Sequence, residues 1–126
     1  MSHFEIPAEE VERAKRFYND AFGWEIVPVP NMDYNMVHTT QTDKDGMLKE
    51  PGVINGGMMK RSADVKHPVI TIVVDDIDEA LRRVKSLGGK VTVDKSSAGE
   101  FGQSAYFEDP EGNVMGLFQP SMRPPP

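Results

Sequence analysis

Two side chains near the start of the chain have the types and the spacing for acid–base chemistry. His3 and Glu5 are two residues apart in an extended apolar segment, so in a β-strand they would lie on one face. An imidazole beside a desolvated carboxylate can bind a polar ligand or take a proton from a carbon next to a carbonyl. The competing interpretation is that Glu5 pairs with an Arg or Lys at an interface. The residues alone leave both interpretations open.

Further candidates for ligand contact come from the later predicted strands. Alternation along those strands would turn Val69, Thr71, Gly116 and Phe118 towards the same hollow as His3 and Glu5. Apolar walls with a few polar groups are typical of small-molecule pockets, and strand glycines often mark the close approach of a ligand. For Met58, filling a gap in the core is the competing interpretation. The predicted ligand-binding residues are Thr71, Val69, Met58, Gly57, Gly116 and Phe118.

Two copies of one strand–helix–strand unit would position these residues. When Ala14 is laid on Ala80, Ile6 falls on Ile72, and each first strand is followed by apolar residues at helical spacing. A glycine closes each predicted helix, as the position after a helix favours. The predicted fold is therefore α+β, with two βαβββ modules whose sheets enclose a shared hollow. The further predicted strands are Trp24–Val29, Tyr34–Thr40, Val53–Met59, Lys90–Asp94, Ser104–Glu108 and Val114–Phe118.

The modules belong to one predicted domain, which covers residues 1–119. Module one spans about residues 2–60 and module two about residues 67–119, with the polar stretch Ser62–Lys66 as the linker between them. The Pro-rich residues 120–126 are predicted to be a disordered tail. The polar stretch Thr42–Pro51 is predicted to be a loop that could form a flap.

Composition excludes several classes of function. The chain has 126 residues and no cysteine, so it can form neither a disulfide framework nor a thiolate nucleophile. Its formal net charge of −6 makes nucleic acid and anionic membranes improbable partners. We expect a cytoplasmic protein, because a chain without cysteine suits a reducing compartment and the first strand begins too early to leave room for a signal peptide.

Five motifs follow one another along the chain. They are His3-Phe4-Glu5-Ile6-Pro7, then Ala14 and Phe17-Tyr18 with Phe22-Gly23-Trp24, then Val73-Val74-Asp75-Asp76-Ile77-Asp78-Glu79-Ala80, Gly88-Gly89 and Asp109-Pro110-Glu111-Gly112-Asn113. In this order they resemble the motifs of the vicinal-oxygen-chelate superfamily of glyoxalases, bleomycin-resistance proteins and extradiol dioxygenases. The resemblance extends from residue 3 to about residue 118. It implies paired βαβββ modules that assemble as a homodimer, and it does not fix a reaction.

The resemblance also implies four metal-ligand positions, and only one of them holds a donor here. His3 occupies the first position, whereas Val69, Gly116 and one of Gly56 or Gly57 stand at the others. A single imidazole does not hold a divalent cation. We therefore expect no metal and no other cofactor; the alternative is a rearranged site made of His3, Glu5 and His67.

Together these observations predict a metal-independent member of that superfamily that binds a small organic ligand in the sheet cavity of a homodimer. The alternative is a lyase, isomerase or dioxygenase-like enzyme that acts on a small carbonyl or aromatic compound through His3 and Glu5, with or without an atypical metal. A third possibility is an interaction module whose pocket has lost its function.

Overall fold

The computed structural model describes residues 3–39 and 54–121, and the chain divides into two compact units between Pro68 and Val69. In the first unit β1 runs parallel to β4, and β3 pairs antiparallel with β4 and with β2. The strand order is therefore β2-β3-β4-β1. Its elements are β1 (His3–Ala8), α1 (Val11–Phe22), β2 (Glu25–Pro28), β3 (Asn35–His38) and β4 (Gly56–Lys60).

The second unit repeats this arrangement. β5 runs parallel to β8, and β7 pairs antiparallel with β8 and with β6, which gives the order β6-β7-β8-β5. The expectation that each half is a βαβββ module is confirmed. The elements are β5 (Val69–Val73), α2 (Ile77–Ser86), β6 (Lys90–Ser97), a 3₁₀ turn (Gly99–Phe101), β7 (Gly102–Glu108) and β8 (Val114–Pro120).

The helix boundaries follow from local capping. The side chain of Asp76 accepts a hydrogen bond of 3.1 Å from the backbone N–H of Glu79 at the start of α2. This contact satisfies one of the amide groups that a helix start leaves without a partner. At the end of α1, Gly23 adopts a left-handed conformation with φ 75°, and its N–H donates to the carbonyl of Asn19 at 2.9 Å. Gly23 suits this position because it has no Cβ to clash there.

Each unit packs one face of its sheet on its own helix. In the first unit, Phe4 and Ile6 of β1 face α1, as the alternating pattern predicts, so His3 and Glu5 lie on the opposite face. In the second unit, Ile77 and Leu81 of α2 pack on Ala105 and Leu117. The first cluster consists of Ala8, Val37, Met58, Phe4, Ile6, Val11, Ala14, Tyr18, Trp24 and Ile26.

The last strand is longer than the sequence pattern predicts. β8 continues to Pro120, which pairs with Gly102 at the start of β7, and the N–H of Ser121 donates to the carbonyl of Phe101 at 2.9 Å. The strand thus enters the segment predicted as a disordered tail. The rest of that tail, residues 122–126, and the predicted flap Thr42–Pro51 lie outside the described residues. Neither of the two helices has the length and apolar character needed to cross a membrane, as far as the described chain extends.

Two adjacent methionines of β4 test which face of the first unit's sheet packs against α1. Met58 is fully buried in the cluster against α1, whereas Met59 follows it on the other face of β4 and is only partly buried. Met58→Ala should lower the free energy of unfolding by about 2–5 kcal/mol, because it leaves a cavity in the core. Met59→Ala, the matched control, should cost clearly less. Urea denaturation measures both values, and equal losses would contradict the assignment.

Candidate functional site

A row of four directly opposed residues crosses the sheet of the first unit on the face away from α1. Glu5 of β1 pairs with Gly57 of β4, Gly57 with Met36 of β3, and Met36 with Val27 of β2. Exposure rises along this row, from 7% at Glu5 to 46% at Val27. The carboxylate therefore lies at the buried end of a largely apolar strip.

The Glu5 carboxylate is held by a tyrosine that immediately precedes β3. The hydroxyl of Tyr34 donates a hydrogen bond of 2.9 Å to Oε2 of Glu5. Tyr34 precedes β3, and it lies two residues before Met36, so alternation places both side chains on the same face. Hydrogen bonds to a charged acceptor are among the stronger ones in proteins, so this contact fixes the orientation of the carboxylate.

Gly57 makes that contact possible. A Cβ atom added at Gly57 would coincide with the phenol of Tyr34. The space that the missing side chain leaves is therefore filled by the ring of Tyr34. No sequence pattern connects Tyr34 with Glu5. The available signal was a glycine within a strand, which marks close approach of another group.

His3 lies two residues before Glu5 in β1, on the same face of the strand. Burial lowers the pKa of His3 from its ordinary value, and the nearby Glu5 carboxylate partly opposes this shift. The imidazole therefore tends to be neutral, and a neutral imidazole has both a donor and an acceptor nitrogen.

The remaining candidate residues lie mostly in the second unit. Thr71 of β5 pairs with Gly116 of β8, and Gly116 pairs with Tyr106 of β7. A Cβ at Gly116 would lie 2.9 Å from Oγ1 of Thr71 and 3.5 Å from a methyl group of Val69. Val69, Thr71 and Gly116 thus form one buried group, with Phe118 two residues further along β8.

The predicted site residues therefore fall into three places. His3, Glu5 and Gly57 lie together on the first sheet, and Val69, Thr71, Gly116 and Phe118 share one face of the second. Met58 lies in the core against α1, on the opposite side of the first sheet from Gly57, so the interpretation of Met58 as a core residue is the one that the structure supports.

The donors at these positions do not match a four-ligand metal site. Within residues 3–39 and 54–121, no three His, Asp or Glu side chains come close enough to share an ion. His3 and Glu5 carry donors, Gly57, Gly116 and Val69 do not, and His67 is an exposed residue that precedes β5. Since divalent cations require several oxygen, nitrogen or sulfur ligands, the residues described do not fit such a group.

The close approach of Gly57 and Tyr34 predicts a strong coupling between them. Gly57→Ala should lower the free energy of unfolding by about 1–3 kcal/mol, because the new methyl group overpacks the space held by the phenol. In a Tyr34→Ala background the same substitution should cost much less, since the ring is gone. A double-mutant cycle in urea measures the coupling. Gly116→Ala is the control, and its cost should not depend on residue 34; equal costs of Gly57→Ala in both backgrounds would refute the coupling.

The lowered pKa of His3 predicts a pH dependence of stability. Below its ordinary pKa of about 6.5, the unfolded chain binds a proton at His3 more readily than the folded one. The stability that neutral His3 contributes is therefore complete above about pH 6.5 and is lost as the pH falls towards the folded-state pKa. The free energies of unfolding of the protein and of His3→Gln are measured from pH 8 to pH 5. As the pH falls below about 6.5, the free energy of unfolding of the unmodified protein should decrease relative to that of the variant. A difference that stays constant with pH would refute this.

Comparison with known proteins places the chain in a family. The family model for the Glyoxalase/Bleomycin resistance protein/Dioxygenase superfamily matches residues 1–117. A glyoxylase-like domain-containing protein of Didymella fabae is 32% identical over 119 residues, which cover 90% of this chain and 88% of that protein. The putative glyoxylase CFP32 of Mycobacterium bovis is 28% identical, and its match covers 91% of this chain but only 43% of that protein.

Among solved structures, a variant of the methylmalonyl-CoA epimerase of Streptomyces coelicolor, in complex with 2-nitronate-propionyl-CoA, has a similar fold. The TM-score is 0.66 at 16% identity, and the match covers 97% of each chain. At this identity the likeness concerns the fold. The family match over nearly the whole chain, together with two βαβββ units of the same strand order, establishes that this chain belongs to the Glyoxalase/Bleomycin resistance protein/Dioxygenase superfamily.

Proposed function

We propose that the protein binds a small organic ligand, without a metal ion, on the face of the first sheet that carries Glu5 and Tyr34. One observation carries this proposal: Glu5 is a buried residue with 7% of its surface exposed, and Tyr34 reaches across a glycine to bind its carboxylate. Burial of a carboxylate costs free energy, and apolar residues of similar size often stabilise a fold at least as well. A binding role explains the buried carboxylate more simply than a contribution to stability.

The surroundings of Glu5 suit such a ligand. Met36 and Met59 lie on the same face and are partly buried, and methionine side chains adapt to ligands of different shapes. His3 adds a donor or an acceptor beside the carboxylate. A few polar groups at one end of an apolar surface can orient a small molecule while burial of its apolar part supplies affinity. In the second unit, the predicted ligand-contact residues Val69, Thr71 and Gly116 form a separate, mostly apolar group.

The proposal includes a homodimer. Phe17 and Phe22 of α1 are large apolar side chains that remain exposed in this chain, and a second copy would cover them. Exposed apolar patches commonly mark such contacts.

A second candidate function is proton transfer. The observation that favours it is the electrostatic interaction of a partly buried His3 with Glu5, which places a possible acid and a possible base side by side. In that case the same pair would act on a small carbonyl or aromatic compound, one group removing a proton and the other returning it.

A ligand screen separates these functions. Protein labelled with ¹⁵N is mixed with small carbonyl and aromatic compounds, and binders are recognised by shifts of the amide signals of Glu5, Met36 and Gly57. Glu5→Gln should weaken binding of these compounds about tenfold or more, which corresponds to about 1.4 kcal/mol for a lost charge-assisted hydrogen bond. Glu111→Gln is the control, because Glu111 lies in the exposed turn between β7 and β8 and its loss changes the net charge equally.

The same samples, followed for hours, reveal turnover. New product signals that disappear with Glu5→Gln would establish the enzymatic alternative, whereas saturable binding without product supports a binding protein. Binders that leave the signals of this face unchanged, or whose affinity is the same after Glu5→Gln, would refute the proposed site.

A further inference from the structure

We propose that two copies of this chain associate through α1, with the two helices packed side by side and antiparallel about Phe17. In this arrangement Arg13 of each copy lies beside Asp20 of the other copy. The inference rests on the homodimer included in the proposed function, and it assigns the surface through which the two copies meet.

The centre of this surface is an aromatic patch on α1 that the chain itself leaves uncovered. Phe17 and Phe22 are 59% and 63% exposed, and their ring centroids lie 6.5 Å apart. Next to them the rings of Tyr18 and Trp24 stack, with centroids 5.0 Å apart, in the cluster that packs α1 on its sheet. The patch therefore continues the core outwards, and a contact that covers it removes apolar surface from water.

A strip of exposed residues runs along α1 through this patch. Arg13 lies four residues before Phe17 and Asp20 lies three residues after it, so the three side chains are neighbours on one side of the helix. Phe17 is also close to the middle of α1, which runs from Val11 to Phe22. The strip thus carries a positive charge on one side of its central ring and a negative charge on the other, at nearly equal distances.

The other charges of α1 and its N-terminal cap give the helix the same polarity. The second half of α1 has one acidic residue, Asp20, and no basic residue. The helix dipole adds partial positive charge at the start of α1 and partial negative charge at its end. The first half, together with the cap, has three basic and two acidic residues, which are Arg13, Lys15, Arg16, Glu10 and Glu12.

Arg13 already has a partner on its own helix, and this pair leaves it able to bind a second carboxylate. Nη1 of Arg13 lies 3.1 Å from Oε2 of Glu10, and the two side chains are 70% and 66% exposed. Water screens such an exposed pair, so little free energy holds Arg13 to Glu10. A guanidinium group has five N–H donors, so Arg13 can keep this contact and also donate to Asp20 of a second copy.

The strip is complementary to itself. A twofold axis through Phe17 reverses the direction of the second helix, so the first half of each α1 meets the second half of the other. The two Phe17 rings then face each other, and an Arg13–Asp20 pair forms on each side of them. Antiparallel packing also places the positive end of each helix dipole near the negative end of the other. A partner of different sequence would not require this symmetry about Phe17, so the pattern favours a second copy.

Charge reversals test this arrangement, and the helix dipole makes them compatible with the fold. Arg13→Asp places an acid in the first turn of α1 and Asp20→Arg places a base in the last turn, which are the favoured ends for these charges. Each variant alone creates two like-charge pairs in the interface and should raise the dissociation constant of the dimer at least about tenfold. An equimolar mixture of the two variants should associate again, because every mixed dimer contains two opposite-charge pairs.

Association of the full chain is measured by sedimentation velocity over a range of concentrations, and circular dichroism verifies that each variant is folded. Arg82→Asp is the matched control, because Arg82 of α2 also pairs with a glutamate three residues before it and is 68% exposed. It changes the net charge as Arg13→Asp does and should leave association unchanged. Phe17→Ala, at an exposed position, should weaken association without a change of charge.

The possible results separate this inference from the proposed function. If Arg13→Asp and Asp20→Arg associate as tightly as the unmodified chain, or if their mixture stays monomeric, the copies do not meet in this way and the inference is refuted. The same holds if Arg82→Asp weakens association as much as Arg13→Asp, since the net charge would then be responsible. If the unmodified chain is monomeric at every concentration, the homodimer fails as well, whereas the ligand site at Glu5 is tested by its own screen.

Discussion

The hydrogen bond from Tyr34 to Glu5 is the interaction on which the candidate site depends. It joins Glu5 of β1 to the residue that immediately precedes β3, and it passes over Gly57 of the intervening strand β4, where a side chain would block it. The glycine, the phenol and the carboxylate therefore depend on one another. Gly57 provides the space, Tyr34 fills it, and Glu5 gains a fixed partner in a place where an ionised group would otherwise be costly.

The two units show how one framework holds different polar groups. Both have the same strand order, and both pack one sheet face on a single helix. On the other face, Glu5 in the first unit corresponds to Thr71 in the second. Each lies on the first strand of its unit and pairs with a glycine of the last strand, Gly57 and Gly116 respectively. A hydroxyl replaces a carboxylate at equivalent places. The frame depends on the residues that face the helix, so the residues of the other face are free to differ in chemistry.

Much of the framework could be predicted from the sequence because its signals are local. Helical spacing of apolar residues, a glycine after α1 and period-two alternation along β1 each concern neighbours in the chain. The boundaries were less predictable. β8 reaches Pro120 because that residue pairs with Gly102, a contact between residues far apart in sequence. For the site, alternation correctly separated His3 and Glu5 from Phe4 and Ile6, but it did not place Met58, because the face of β4 depends on its register with β1.

The sequence by itself determined the class of fold, the two repeated units and the face of β1 that carries His3 and Glu5, since these follow from periodicity and turn chemistry. Only the tertiary structure decided which groups meet Glu5. The pairing register sets Gly57 beside Glu5 and Met36 beside Gly57, and from there Tyr34 reaches the carboxylate. Tyr34 and Glu5 are 29 residues apart in the sequence, and no local pattern encodes a contact between them. A glycine in a strand indicates close approach, and the folded chain shows that the approaching group is a phenol.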